Sequence, residues 1–245
     1  MPVVAAAVCP HPPLLIPEIA AGGSAELDDL RAACVDAVDR LLAAGPDTVL
    51  VVGADRDTRR YPASSAGTLA AYGTPQVRVD FGGDGPGDEP GGEPLPLPLL
   101  VGGWIVRRSA AGGRVPLTGL TVAGDAPAAE CLALGRELAA SAGRLALLVM
   151  GDGSARGSEH APAHLHPRAE AYDTIVAGAL AGADTASLAA LDPDAADEVR
   201  AGGRAAWQVL AGAAGGAAWR AELTYRAAPY GVGYFVASWE PVDVA

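Results

Sequence analysis

The chain has no lysine and no asparagine, and all seventeen of its basic residues are arginine. Both absent residues have A/T-rich codons, so a G/C-rich coding sequence accounts for the gap. The absence of lysine still removes chemistry: no amine is present for a Schiff base, for pyridoxal-phosphate attachment or for the lysine of a phosphate-binding P-loop. Positive charge is scarce overall. Against 29 acidic residues the formal net charge is −12, which argues against nucleic acid or an anionic membrane surface as partner, since each requires a basic patch. There are only three cysteines, Cys9, Cys34 and Cys131, odd in number and without CxxC spacing. They read as reduced thiols of a cytosolic protein. No basic-then-apolar leader opens the chain, and no apolar run nears the roughly 20 residues that span a bilayer. The expectation is a cytoplasmic protein. A Gly-rich dinucleotide loop and a serine-hydrolase elbow are missing as well.

What is present is a large supply of core. Half of the 245 residues are apolar, ample for one buried domain. Short apolar runs alternate with helical patterns, which predicts an α/β protein: a single domain, residues 1–245, with a central mixed β-sheet flanked by helices. Strands are expected at residues 3–8, 48–52, 76–81, 115–122, 145–150, 221–226 and 231–239. Ser24 is the expected cap of a helix whose apolar residues Leu27, Leu30, Cys34, Val38 and Leu41 follow helical spacing. Further helices are expected from Pro127 to about residue 142, after Pro167, after Asp192-Pro193 and over residues 203–214. Trp207 should anchor the last of these, and Trp104 with Ile105 should pack near a sheet edge. Residues 82–98 are rich in Gly, Pro and acid and read as an exposed, mobile loop that would order over a site if it served as a lid.

Histidine is scarce too, and its placement is the most informative feature of the sequence. His11 follows the first apolar run in Cys9-Pro10-His11-Pro12-Pro13-Leu14-Leu15, while His160, His164 and His166 fall within one short stretch. Imidazole is the commonest protein ligand for iron, copper and zinc, and the only side chain that ordinarily titrates between pH 5 and 8. In sheets of this class ligands bind beyond the strand ends. Three apolar runs end in polar loops: Cys9-Pro10-His11, Gly53-Ala54-Asp55-Arg56-Asp57 and Gly151-Asp152-Gly153-Ser154-Ala155-Arg156. A pocket made from them would include His11, Asp55, Arg56, Asp152 and Ser154. The plainer alternative is that the aspartates cap turns. Arg204, if it joins Arg56 at the pocket, would favour an anionic ligand. On a helix His160 and His164 would share a face, but Pro162 and Pro167 oppose a continuous helix. In an extended segment His164 and His166 would share a side. A solvated, His-rich surface loop is the simpler expectation. Cys9 reads as a small buried hydrophobe, with a soft ligand or redox thiol as alternatives.

The opening motif Cys9 to Leu15 resembles the first metal-ligand motif of class III extradiol ring-cleavage dioxygenases and the related Memo-like proteins. So do Pro46-Asp47-Thr48-Val49-Leu50-Val51-Val52-Gly53 and the loop after it. Residues 151–156 are similar to the Gly-Asp-x-Ser-His-x loop of that superfamily, and Pro229-Tyr230-Gly231-Val232-Gly233-Tyr234-Phe235-Val236 to its last strand. The motifs occur in the same order across nearly the whole chain. The resemblance implies the fold of the dioxygenase catalytic subunit, self-association into a homo-oligomer, and a non-haem Fe(II) site held by two histidines and a carboxylate or cysteine, with a further histidine as acid/base. It puts the first ligand at His11. The second position falls near Asp55 or Arg56, the acid/base position at Ala155 and the third ligand near Gly202-Gly203-Arg204-Ala205, with Glu198 a turn earlier.

Three of those four positions carry residues unable to do the family's work. The leading expectation is therefore a catalytically degenerate relative without iron, keeping a strand-end pocket for a small polar or anionic molecule. The alternatives are an active iron enzyme with relocated ligands, His11 with His160, His164 or His166 and Asp55 or Asp152, and a structural or partner-binding protein.

Overall fold

The computed structural model describes residues 3–20, 24–82, 94–112, 115–141 and 143–242. Strand β1 (Val3–Cys9) is an inner strand of a seven-stranded sheet. With β2 (Thr48–Asp55), β3 (Arg59–Tyr61), β6 (Leu117–Ala123), β7 (Leu145–Met150), β8 (Trp219–Ala227) and β9 (Tyr234–Pro241), the order across the sheet is β3-β6-β2-β7-β1-β9-β8. The four strands β6, β2, β7 and β1 are parallel; β3, β9 and β8 are antiparallel to their neighbours. The sheet is thus mixed, as the alternation of runs predicts. A separate two-stranded hairpin joins β4 (Ala66–Leu69) to β5 (Thr74–Asp80). The run at 76–81 is therefore a strand, but not one of the main sheet.

The parallel strands are apolar on both faces, as sheets covered on both sides must be. Leu50, Val52, Leu147 and Val149 enter one core, under α4 (Ala128–Ala139), α5 (Ala169–Gly182) and α8 (Arg204–Ala214). Val49, Val51, Ala146 and Leu148 enter the other, under α2 (Asp28–Ala43) and α3 (Leu97–Arg108). Short helices α1 (Pro17–Ala20), α6 (Thr185–Ala189) and α7 (Pro193–Glu198) complete the set. Asp192 caps α7 by accepting from the Ala195 N–H at 2.9 Å, with Pro193 in the first turn, so that start was legible. Fully buried Trp207 anchors α8 and packs edge-on to Phe235 at 6.2 Å. Among the described residues no helix is long and apolar enough to cross a membrane.

Two expectations need correction. Helix α2 is not capped by Ser24: a short 3-10 turn covers Ser24–Leu27, Leu27 holds the N-cap position without a side-chain bond, and Asp28 and Asp29 supply negative charge to the first turn. The 82–98 segment is not loop throughout, because Leu97 and Pro98 open α3 and Leu95 is buried. Its residues 83–93, and with them the lid, lie outside the described residues. Helix α3 reaches the middle of the sheet through its glycines. Gly102 lies against Val51 and Met150, and a Cβ at Gly53 would overlap Pro98. Trp104 is buried beside Val79 of the hairpin and Val115 just before β6, with the Arg108 guanidinium 4.0 Å above its ring.

Candidate functional site

The C-terminal ends of β1 and β7 are neighbours: Cys9 pairs with Met150, and the Gly151 N–H donates to the Cys9 carbonyl at 2.9 Å. From there the chain leaves β1 for α2 on one face and β7 for α5 on the other. Adjacent parallel strands whose connections part in this way open a crevice at their carboxyl ends. His11 and Asp152 stand at that crevice. The His11 N–H donates to Asp152 Oδ1 at 2.8 Å, and the ring Nδ1 lies 3.7 Å from the same oxygen. Their side chains are 13% and 20% exposed. Among the described residues His11 Nδ1 is buried without a hydrogen-bond partner, an unusual state for an imidazole nitrogen.

Asp152 is held from both sides, since its carbonyl also accepts the Gly203 N–H at 2.8 Å. A Cβ on Gly151 would come within 2.6 Å of Gly203 Cα and 2.9 Å of Trp207 Nε1, so glycine lets the loop lie on the start of α8. Tyr234, at the start of β9, is 3% exposed and its hydroxyl makes no hydrogen bond among the described residues. Burial raises its pKa, and the charge of Asp152 adds to the rise. Beneath the crevice Cys9 and Cys34 are free and fully buried. Burial pushes the Cys34 thiol up, and its hydrogen bond with Cys9 pushes further. Both pack as small hydrophobes.

The loop after Asp152 rests on a buried carboxylate that sequence reasoning passed over. Asp173 of α5 is 6% exposed and accepts the Ser154 N–H at 2.8 Å, while Gly153 and Gly233 close around it without side chains. Burial raises its pKa to about 6; the Ser154 hydrogen bond and Arg226 act in the opposite sense, and Glu170 adds to the rise. A signal was available. Asp173 shares a helical stripe with Val176, Ala177 and Leu180, and a charge on an apolar stripe marks a buried polar contact.

Several expected pocket residues serve other ends. Ser154 is fully buried; its hydroxyl donates to the Val199 carbonyl at 3.1 Å and accepts the Arg156 N–H at 3.1 Å, so it braces the loop. Arg204 is also buried and does not face the crevice. Its guanidinium donates to the carbonyls of Ala126 at 2.5 Å and Gly124 at 2.6 Å and to Gln208 Oε1 at 3.0 Å. It lines a separate depression of about 500 Å³ beside Asp125 and Arg200. Asp55 and Arg56 are exposed at the end of β2, and among the described residues neither bonds to His11 or Asp152.

The three later histidines lie on the connection from β7 to α5. His160 and His164 are exposed and His166 half-buried. The segment is neither helical nor extended, since His164 has a positive φ of 41°, which removes both alignments drawn from the spacing. His166 Nδ1 accepts the Arg168 N–H at 3.3 Å, and the His164 carbonyl accepts from Arg156. Ferrous iron needs several protein donors acting together. Among the described residues no three of His, Cys, Asp and Glu come together as a group able to hold a metal ion. The relocated set of His11 with Asp55 and His160, His164 or His166 is therefore not assembled, and the residues present do not fit iron.

No family model matches the chain, and no curated protein matches it. Among solved structures it is similar to the crystal structure of an uncharacterized protein, JW3007, from Escherichia coli K12, with a TM-score of 0.53 and 15% identity over 97% of this chain and 99% of that one. A likeness at that identity shows the α/β fold, and the site has to be read from its own residues.

Proposed function

We propose that the chain is a relative of the class III extradiol dioxygenases and Memo-like proteins that retains the strand-end crevice and binds a small polar molecule there, without ring cleavage. The observation that carries this reading is the pairing of His11 with Asp152 between β1 and β7, with a buried imidazole nitrogen left unsatisfied. An unsatisfied buried polar atom costs on the order of 1–3 kcal/mol. A ligand that bonds to the nitrogen would remove that cost. Arg204 is occupied by carbonyls, so it supplies no support for the anionic form of the ligand. In this reading the protein acts in the cytoplasm as a homo-oligomer. The exposed apolar side chains Leu165 and Ile175 are compatible with self-association, which sedimentation would measure.

The test is thermal unfolding of chelator-treated protein against small alcohols, phenols, amines and carboxylates. We expect a rise in Tm with at least one class in the wild type and none in His11→Ala. In parallel the protein is loaded anaerobically with Fe(II) and exposed to catechol and O₂. Oxygen uptake with a ring-opened product, lost in His11→Ala, would refute the proposal.

A further inference from the structure

We propose that the outer edge of β8 pairs antiparallel with β8 of a second copy over Trp219–Leu223, joining two seven-stranded sheets into one. The inference rests on the self-association in the reading above and adds the surface that carries it.

The two ends of the sheet are unlike. At one end β3 is three residues long and carries Arg59 and Arg60; short, charged edges resist further pairing. At the other end β8 runs for nine residues, and among the described residues only β9 pairs with it. One row of its backbone N–H and C=O groups therefore meets no strand among them, which is the template for adding another. The ladder is irregular at Thr224: Leu223 pairs with Ala237 and Tyr225 with Val236, leaving Thr224 over. Before this point Trp219, Ala221 and Leu223 pack on the core under α5 and α8, while Glu222 turns to the other face and pairs with Arg40 of α2. After it Tyr225 packs on that other face, so the regular edge ends at Leu223.

The five regular residues are complementary to themselves. An antiparallel pair about a two-fold axis normal to the sheet keeps each side chain on its own face, so the axis must pass through a residue. With the axis at Ala221, Arg220 of one copy stands opposite Glu222 of the other and Trp219 opposite Leu223, each pair occurring twice. Opposite charges and aromatic–aliphatic neighbours are favourable cross-strand pairs. Moving the axis one residue either way sets Arg220 against Arg220 or Glu222 against Glu222, and like charges directly opposite are unfavourable. The Arg220 side chain is 76% and the Glu222 side chain 59% exposed, with Glu240 4.0 Å from Arg220, so an incoming copy finds both charges at the surface. The match at every position is one the chain makes with itself, and the occupant it specifies is a second copy.

Sedimentation equilibrium of the full chain at pH 7.5 and low salt, from micromolar to submillimolar concentration, would compare the wild type, Arg220→Glu, Glu222→Arg and an equimolar mixture of the two variants. Circular dichroism checks folding. Arg220→Glu makes the edge acidic on both sides of the axis and Glu222→Arg makes it basic, so each variant opposes like charges to itself. The mixture restores both opposite-charge pairs. We expect the wild type to dimerise, each variant alone to associate about tenfold or more weakly, and the mixture to recover wild-type association as a heterodimer. Recovery on mixing does not arise from misfolded parts. Variants that dimerise as well as the wild type, or a mixture no better than its parts, would overturn the inference and place the self-association on another face. A wild type that stays monomeric removes both the edge pairing and the homo-oligomer, and leaves the crevice reading to its own thermal test.

Discussion

Neutralising Asp173 should change how stability depends on pH, because this carboxylate is buried against the loop that carries Asp152. Its pKa rises from an ordinary 3.8 to about 6, chiefly through burial, and that rise corresponds to about 3 kcal/mol. The sign follows from proton binding. Between pH 4 and 6 the folded chain keeps a proton on Asp173 that the unfolded chain has lost, so this group's contribution to stability is fully present below pH 4 and is lost as pH rises through 6. Asp173→Asn has the shape of the protonated acid, and its amide oxygen still accepts the Ser154 N–H. Urea unfolding of both proteins at pH 4, 5, 6 and 7.5 isolates the effect, since the other carboxylates cancel in the difference. The stability of Asp173→Asn relative to wild type should climb by up to about 3 kcal/mol from pH 4 to 7.5. A difference that is flat with pH, or that moves against the variant as pH rises, would show that the Ser154 N–H and Arg226 compensate the buried charge fully.

The other predictions concern the expected site positions. Gly203→Glu should lower Tm by on the order of 10 °C, because its Cβ would overlap the Trp207 ring; Gly202→Glu, with nothing within 4 Å of its Cβ, should be nearly neutral in the same thermal scan. Arg204→Met strips the donor from two carbonyls and Gln208 and should cost on the order of 3 kcal/mol in urea unfolding. It should leave ligand affinity at His11 unchanged, and a parallel loss of binding would mean that the two sites are coupled. Replacing His160, His164 and His166 together by alanine should change stability by no more than about 1 kcal/mol and leave iron uptake unaltered; a fall in bound iron would restore the relocated metal site.

The sequence carried the sheet well because parallel strands buried on both faces are runs of Val, Leu and Ala, and such runs are visible without context. The three strand ends with polar loops were legible for the same reason. Helix α3 was not. Its first residues, Leu97 and Pro98, continue a Gly/Pro-rich stretch, and its Gly102 and Gly103 read as breakers, whereas they let the helix lie directly on Val51 and Val79. Here tertiary contact overrides propensity. Ser154 and Arg204 read as pocket residues in the sequence because polar residues near strand ends can bind ligands. A sequence does not say whether such a side chain turns outward or inward to satisfy backbone carbonyls, and both turn inward.

The geometry at His11 bears on charge as much as on coordination. At the position where the resemblance puts a third ligand, Trp207 fills the space a side chain at Gly203 would need. At the second position, Asp55 and Arg56 face solvent, and at the acid/base position stands a half-buried alanine, Ala155. A divalent ion, where a site holds one, is the largest local charge and decides which ligand sign is accepted. An iron centre attracts an anionic catecholate. Among the described residues His11 has Asp152 beside it, no donor set is assembled around the pair, and Arg204 is tied to carbonyls. On the reading proposed above, losing the ligands of such a centre would do more than silence oxygen chemistry: it would also remove the positive charge that draws a catecholate to the crevice.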